Sequence, residues 1–305
     1  MVRFLLRRLL IAIPTLLLVV TASFFMMRAA PGGPFDSARR LPPQVEHNLE
    51  VKYGLDRPLV VQYLTYLGGA LHGDFGPSLK YQDKSVLDIV AENFPVSLRL
   101  GLASLIIGVS LGVLFGVIAA LRRNTGVDYG LTTLAIVGIC VPSFVTAPLL
   151  VLVFATTLGW FPTGGASQFS CYVLPVLTLA LPQIAVISRL TRAGMLEVMH
   201  SNYIRTARAK GLSERRIVVA HTLRAAILPL VGYLGPATAG VVTGSLVVEK
   251  IFGLPGLGKF FVLSAQQRDY TVVMGVVILY AVLVIVLNLA AEAAQALLDP
   301  RMRIS

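Results

Sequence analysis

The sequence has few charged residues, and this scarcity excludes the commonest classes of protein. Asp, Glu, Lys and Arg make up 13% of its 305 residues, while 56% are hydrophobic. A soluble domain carries about twice that charged fraction and has less apolar side chain to bury. A disordered chain has low mean hydropathy, whereas the value here is +0.78. The composition therefore argues against a soluble enzyme and against a disordered chain, and it favours a membrane protein.

Cysteine and histidine are too few and too scattered for a metal site. The two cysteines, Cys140 and Cys171, lie in or beside apolar blocks, and we expect both to be structural. The four histidines fall in polar segments without the spacing of metal ligands. We therefore predict no catalytic residue, no metal and no cofactor in this chain.

Acidic residues are also missing from the apolar blocks. Between residues 97 and 190 only Asp128 is acidic, and it lies in a predicted loop, while Glu249 and Glu292 lie at block ends. Proton- and sodium-coupled carriers usually need carboxylates inside the membrane. This absence argues against an ion-coupled secondary carrier, which stays an alternative. A membrane assembly or receptor component that moves nothing is a further alternative.

The apolar residues that are present fall in blocks long enough to cross a bilayer. They predict an all-α polytopic membrane protein in which residues 1–305 form a single transmembrane domain. The six predicted spans are 9–27, 97–121, 131–157, 172–188, 226–248 and 271–293. Segment 28–96 carries helical patterns and is predicted to form a small helical cap on the outer face. We expect the first span to stay as an anchor, because its apolar stretch is longer than a signal-peptide core.

The distribution of basic residues predicts the orientation in the membrane. With the N-terminus in the cytoplasm, the inner segments carry 15 basic and 5 acidic residues, and the outer segments carry 11 and 10. Cytoplasmic loops of membrane proteins are enriched in Lys and Arg. We therefore expect both termini in the cytoplasm, and we attribute the net charge of +11 to these loops and not to nucleic-acid binding.

Two short motifs match sequence patterns of enzymes but lack the neighbouring residues and elements that those patterns require. Gly253–Lys259 fits most of the phosphate-loop pattern, but Phe260 replaces the hydroxyl that would hold magnesium, and no strand precedes it. Gly108-Val-Ser110-Leu-Gly112 spells a nucleophile-elbow pattern in the middle of a predicted span, with no histidine or acid in the apolar blocks. We interpret the first as a turn and the second as helix packing.

The fifth predicted span carries small residues or proline at every fourth position, and the second span carries glycines at the same spacing. These residues of the fifth span are Gly232, Pro236, Gly240 and Gly244. A spacing of four places them on one helix face, where helices approach closely. Helix packing is the expected role in the second span. In the fifth span a substrate pathway is nearly as plausible, because Pro236 also loosens the helix hydrogen bonds.

The cytoplasmic segment 189–225 is the most informative part of the chain. Ala207, Ala209 and Lys210 favour helix, Gly211 suits a left-handed helix end, and Ser213 can cap a following helix. These residues predict a short helix, a glycine turn and a second helix along the membrane face. From the residues alone, a knob that fits a groove of another protein and a basic helix bound to anionic lipid are equally supported. The candidate residues are Arg205, Thr206, Ala207, Arg208, Ala209, Lys210, Gly211 and Leu212.

At this segment the sequence resembles the permease subunits of ATP-binding-cassette importers, in particular the peptide-uptake branch. The resemblance covers nearly the whole chain. Besides residues 205–212, it is carried by Arg7-Arg8-Leu through Pro14-Thr15, Phe25 to Gly32, His72-Gly-Asp-Phe-Gly76, Glu249 to Gly258 and Leu298-Asp-Pro300-Arg301. One departure is that Arg205-Thr206-Ala207 stands where the general importer loop has Glu-Ala-Ala, and Ile227-Leu228-Pro229 is displaced from its usual place.

The resemblance implies a type I importer permease fold and a division of labour between subunits. This chain would be a non-catalytic, multi-pass subunit in a bacterial inner membrane that translocates oligopeptides. A second homologous permease would form a heterodimer with it, and lipid would surround both. Two ATPase subunits would hold ATP and Mg and dock on the segment around Ala207–Gly211, and a periplasmic binding protein would deliver peptide. Similar permeases serve dipeptides, nickel and glutathione, so these substrates stay alternatives.

Overall fold

The computed structural model describes residues 2–29, 32–35, 42–81 and 83–298, and nearly all of these residues are helical. The helices are α1 (Val2–Ala29), α2 (Pro43–Lys52), α3 (Leu59–Leu71), α4 (Val86–Leu121), α5 (Gly126–Cys140), α6 (Ser143–Leu150), α7 (Ser170–Met199), α8 (Asn202–Ala209), α9 (Glu214–Arg216), α10 (Leu223–Ala226), α11 (Leu228–Gly244), α12 (Leu246–Ile251), α13 (Leu257–Gln267) and α14 (Tyr270–Leu298). Val151–Thr157 after α6 and Ile217–Thr222 after α9 are π-helical. The predicted all-α class is confirmed.

Five helical segments of the described chain are long and apolar enough to cross a membrane, and a sixth results if α5 and α6 are taken together. The axes of these two helices differ by 106°, so the predicted span 131–157 contains a sharp bend. The break falls at Val141, which has extended backbone angles and precedes Pro142. A proline disfavours helical angles in the residue before it, which accounts for the position of the break.

The longest helix pair, α4 and α7, is joined by glycines at every fourth position. A Cβ atom on Gly108 would lie 2.7 Å from the Cβ of Gln183, and one on Gly112 would lie 2.7 Å from the Cβ of Ile187. Absence of these side chains lets the helix backbones approach closely, as in other membrane bundles. The expected packing role of the glycines in the second span is therefore confirmed, and Ser110 stands on a packing helix, not on a strand-to-helix turn.

Between the first two spans the described residues form the helices α2 and α3, and α4 already begins at Val86, inside the segment 28–96 that was predicted as a cap. Phe24 of α1 is buried, and its ring lies 5.4 Å from that of Tyr63 in α3. At the start of α14 the buried Asp269 accepts hydrogen bonds from the Ser78 hydroxyl at 2.5 Å and from the Leu79 amide at 3.2 Å. The cap is thereby fixed to both the first and the last spanning helix.

Candidate functional site

The candidate docking segment follows directly from the fourth predicted span. α7 runs without interruption to Met199, so the predicted span end at residue 188 lies inside one continuous helix. Only His200 and Ser201 separate α7 from α8. A displacement of α8 would therefore be carried directly into α7, whose other half packs along α4.

α8 is attached to the rest of the segment by a small apolar cluster. Ile204 and Ala207 are buried against Ile217, with Val198 and Leu212 packed around them. Ile217 starts the π-helical stretch that leads to α10 and the fifth span. Because the cluster includes residues from before and after α8, the short helix is held in place at both ends.

The end of α8 is a glycine turn of the Schellman type. Gly211 has a φ of +77°, in the left-handed region. Its amide donates to the carbonyl of Arg208 at 2.9 Å, and the Leu212 amide donates to the carbonyl of Ala207 at 3.3 Å. These two bonds are the pattern that satisfies the last carbonyls of a helix. The predicted left-handed end at Gly211 is confirmed, whereas the Ser213 side chain at the start of α9 makes no capping bond.

An ion pair closes the turn on its exposed side. The Arg208 Nε lies 2.7 Å from Glu214 Oε1, and the Arg208 Nη2 lies 3.3 Å from Glu214 Oε2. Hydrogen bonds from this guanidinium hold the pKa of the Glu214 carboxyl below its usual value. Both side chains are in water, where such a pair contributes little stability, so its main effect is to orient the loop.

The surface that this segment presents is small and basic. Ala207 faces the apolar cluster and Leu212 is half-buried, so neither forms the predicted knob. A Cβ atom on Gly211 would meet no atom of the chain within 4 Å. The exposed members of the candidate set are Arg205, Thr206, Arg208, Ala209, Lys210 and Gly211.

The structure separates the residues of the candidate pathway on α11. Gly232 packs against α14, since a Cβ at this position would collide with the side-chain amide of Gln295. Pro236 and Gly240 are exposed, and a Cβ on Gly240 would have open space around it. Gly244 is the last residue of α11. The candidate residues on α11 are thus partly packing residues and partly an uncovered face.

Next to this uncovered face lies a polar pair that the sequence analysis missed. The Tyr233 hydroxyl donates to Gln183 Oε1 at 2.9 Å and links α11 to α7. Tyr233 lies four residues after Pro229, which is exposed, and seven before the exposed Gly240, on the same side of the helix. The signal available in the sequence was a glutamine inside an otherwise apolar block.

The segment that matches the phosphate-loop pattern is already occupied by a carboxylate. Glu249 is fully buried, and its Oε2 accepts a hydrogen bond from the Gly258 amide at 2.8 Å. Its Oε1 accepts one from the Ser245 hydroxyl at 2.6 Å. A Cβ on Gly256 would collide with the carboxyl group of Glu249. The glycines leave room for this side chain at the start of α13, and a phosphate would be repelled there.

The part of the chain that the structure describes contains no metal site. Within those residues no three His, Cys, Asp or Glu side chains converge in a way that could hold a metal ion. The arrangement present is instead mechanical, with a short basic helix anchored to a long spanning helix. Such an arrangement can receive a movement at one face of the membrane and pass it into the bundle.

Comparison with known families and proteins covers nearly the whole chain. Residues 112–304 match the family described as binding-protein-dependent transport system inner membrane component. Residues 1–101 match the N-terminal family of the membrane components of the same transport systems. The two matches together cover the candidate docking segment, the segment between the first two spans, and all of the spans except residues 102–111.

Individual relatives are similar over their whole length. The oligopeptide transport system permease protein OppB of Escherichia coli K12 is 52% identical, with 99% of this chain and 100% of the relative covered. The dipeptide transport system permease protein DppB of Bacillus subtilis is 44% identical, with 100% of this chain and 99% of the relative covered. Among solved structures, an inward-facing MetNI methionine ABC transporter superposes with a TM-score of 0.58 at 17% identity, covering 69% of this chain and 96% of that one. At that identity the likeness concerns the fold, which is that of an ABC importer permease.

Proposed function

The chain belongs to the family of inner membrane components of binding-protein-dependent transport systems, and we propose that it is a permease subunit of an ATP-driven importer of oligopeptides. The 52% sequence identity with an oligopeptide permease over nearly the full length supports oligopeptides as the substrate class. A dipeptide is the second candidate substrate, because a dipeptide permease is 44% identical over the same length.

The proposed mechanism rests mainly on the way that helix α8 is anchored to the rest of the chain. The inner side of α8 is packed through Ile204 and Ala207, and its outer side offers the exposed Ala209 and Gly211. In the proposed mechanism the groove of an ATPase subunit receives this outer side. When ATP closes the ATPase pair, α8 moves with its groove, and α7 passes the movement to α4 as a rigid-body shift.

The charge of the docking segment suggests the chemistry of the receiving groove. Arg205, Lys210, Arg215 and Arg216 are all exposed around the glycine turn. A groove with acidic side chains would complement them and would speed and orient the docking of the subunits. In this division of labour the ATPase subunits hold ATP and Mg, and the present chain performs no covalent chemistry.

The uncovered face of α11 is the proposed wall of the translocation pathway. Pro236 and Gly240 leave a smooth surface that this chain does not cover, and the Tyr233–Gln183 pair lies beside it. A second, homologous permease would supply the opposite wall, which makes the functional unit a heterodimer. Neutral polar groups suit a peptide backbone, which needs hydrogen-bond partners when it leaves water.

The proposed orientation follows from the basic residues on the segment around α8. The docking segment and both termini lie in the cytoplasm of the bacterial cell. The helical cap then faces the periplasm, where a binding protein would deliver peptide.

An affinity purification of the tagged chain from native membranes in mild detergent tests this proposal. The expected co-purifying proteins are a second multi-span permease and ATPase subunits. Ala209→Leu, at an exposed position, should release the ATPases, and the matched variant Ala220→Leu, exposed on the π-helical stretch, should retain them. Retention of the ATPases by Ala209→Leu would contradict docking at α8, and a chain that purifies alone would favour an ion-coupled carrier.

A further inference from the structure

Two of the motifs singled out in the sequence meet at a cavity in the cap. The cavity has a volume of about 360 Å³, and its walls come from the end of α1, the end of α2, α3, the loop before α4 and the start of α14. Arg28 comes from the motif that ends at Gly32, and Asp74, Phe75 and Gly76 come from the His72–Gly76 motif. The proposed coupling mechanism uses neither motif.

Arg28 brings to this cavity a guanidinium that is unpaired within the described part of the chain. The side chain is half-buried, and its Cζ lies 5.4 Å from the ring centre of Phe24 and 5.2 Å from that of Tyr270. Among the described residues it has no carboxylate and no hydrogen-bond acceptor. A guanidinium has five N–H donors, and removing such a group from water without an acceptor is unfavourable. The aromatic rings hold the cation in position but leave these donors available.

The second donor of the cavity that lacks a partner among the described residues is the hydroxyl of Tyr66 on α3. Its oxygen is buried and has no hydrogen-bond partner in the described part of the chain. Burial raises the pKa of Tyr66, so the hydroxyl keeps its proton and can donate it to an acceptor. A buried hydroxyl without a partner usually marks a missing water, ion or ligand.

The remaining charged groups of the cavity give it a positive balance. Lys52 and Arg57 are exposed and line it together with Arg28, and Asp74 is the acidic residue among the lining. The Asp74 Oδ1 accepts a hydrogen bond from the amide of Gly76 at 2.9 Å, which ties this carboxylate to its own loop. The cavity lining thus has three cationic side chains, one carboxylate and the neutral hydroxyl of Tyr66 as a donor. This lining suits an anionic hydrogen-bond acceptor.

We propose that this cavity binds the C-terminal carboxylate of an incoming peptide. The inference rests on the proposed function, because it takes the substrate to be a peptide and the cap to face the periplasm. In the complex the carboxylate lies between the Arg28 guanidinium and the Tyr66 hydroxyl, and Lys52 and Arg57 attract it from the surrounding water.

The size and chemistry of the cavity favour a peptide terminus over a whole peptide. About 360 Å³ is at the lower end of the volumes of small-molecule pockets, so it has room for a terminal residue and little more. A permease for peptides of differing sequence can rely only on the groups that all peptides share, which are the backbone and the termini. Charge-assisted hydrogen bonds to a carboxylate are the strongest of these contacts.

The test uses the complete transporter in nanodiscs of zwitterionic lipid, and it compares trialanine with trialanine amide. Trialanine should bind at least about tenfold more tightly than the amide, the size of effect expected for charged hydrogen bonds. Arg28→Gln should abolish this preference, Arg28→Lys should restore part of it, and Tyr66→Phe should reduce it. Arg99→Gln, an exposed basic residue of α4 outside the cavity, is the matched control and should keep the preference.

Three results would overturn the inference. One is equal binding of trialanine and its amide, and another is an unchanged preference in Arg28→Gln. The third is displacement of trialanine by vesicles of anionic phospholipid but not by a second free-carboxylate peptide, which would assign the cavity to a lipid phosphate. ATP-driven uptake is measured in parallel. Uptake that persists without carboxylate preference rejects this inference alone, whereas absence of any ATP-driven uptake rejects the proposed function.

Discussion

Arg192 of α7 holds the carboxylate of Asp128 with two of its nitrogen atoms. The Arg192 Nε lies 2.6 Å from Oδ1, and Nη2 lies 2.7 Å from Oδ2. Asp128 is buried in the first turn of α5 and also accepts a bond from the Asn124 amide at 2.9 Å. This pair fixes the start of the bent third span to the part of α7 that leads to α8.

Removal of one partner of this pair should destabilise the bundle. We expect Asp128→Asn to lower the free energy of unfolding by about 2–3 kcal/mol, less than for a fully buried pair because Arg192 keeps 29% of its side chain exposed. Thermal unfolding in detergent measures the change. The control is Lys84→Gln, which breaks the exposed pair with Glu92 and should leave the unfolding temperature unchanged. Equal stability of Asp128→Asn and the parent chain would contradict the assigned role.

Enlarging Gly211 should uncouple ATP hydrolysis from uptake. A β-branched residue at φ +77° is strained and would fill the space that a docking groove needs. We expect Gly211→Val to reduce peptide uptake per ATP hydrolysed roughly tenfold, a size typical of coupling between sites. Gly211→Asn is the control, because asparagine tolerates left-handed angles better, and it should be less impaired. Uptake and ATPase activity of reconstituted transporters measure both effects. Normal peptide accumulation by the valine variant would count against the docking assignment.

The glycines between α4 and α7 should tolerate no larger side chain. In Gly112→Val the new side chain would meet Ile187 and the carbonyl oxygen of Ile184, which lies 3.1 Å from the Cβ position. Overpacking of this kind costs about 1–3 kcal/mol, and more where main chain must move. Gly130→Ala on α5 is the control, since its Cβ meets no atom within 4 Å and should be neutral or slightly stabilising. If the two variants melted at the same temperature, the close approach of α4 and α7 would be wrong.

The Arg208–Glu214 pair should give the docking segment a dependence on acid pH. The pKa of Glu214 is lowered in the folded chain, so the pair stabilises the loop above the usual glutamate pKa of roughly 4.3. That contribution is lost as the pH falls through the lowered pKa of Glu214 in the folded chain. A pH titration followed by carbon-13 NMR of the labelled Glu214 carboxyl should have its midpoint at a lower pH than the titration of an ordinary glutamate. Arg208→Gln should move it back to the ordinary value, and an identical midpoint in both chains would refute the pair.

The sequence predicted the helical fold because length and apolarity of a spanning segment are local properties. The bend of the third span depends on Pro142, which is visible in the sequence, but its angle depends on how α6 packs against α7 and α12. The candidate docking residues are adjacent in the sequence and could be proposed as a group, whereas the inward orientation of Ala207 depends on Ile217, ten residues later. The cap cavity was invisible because Arg28, Tyr66 and Tyr270 meet only in the folded chain.

The most direct test of the account is uptake of a labelled oligopeptide by the purified transporter in sealed vesicles. The assay contains the binding protein outside and ATP with Mg inside, on the side of the ATPase subunits. We expect accumulation that requires ATP, persists when ion gradients are abolished and falls sharply with Ala209→Leu. Uptake that continues without ATP and collapses with the proton or sodium gradient would contradict it and identify the chain as a carrier.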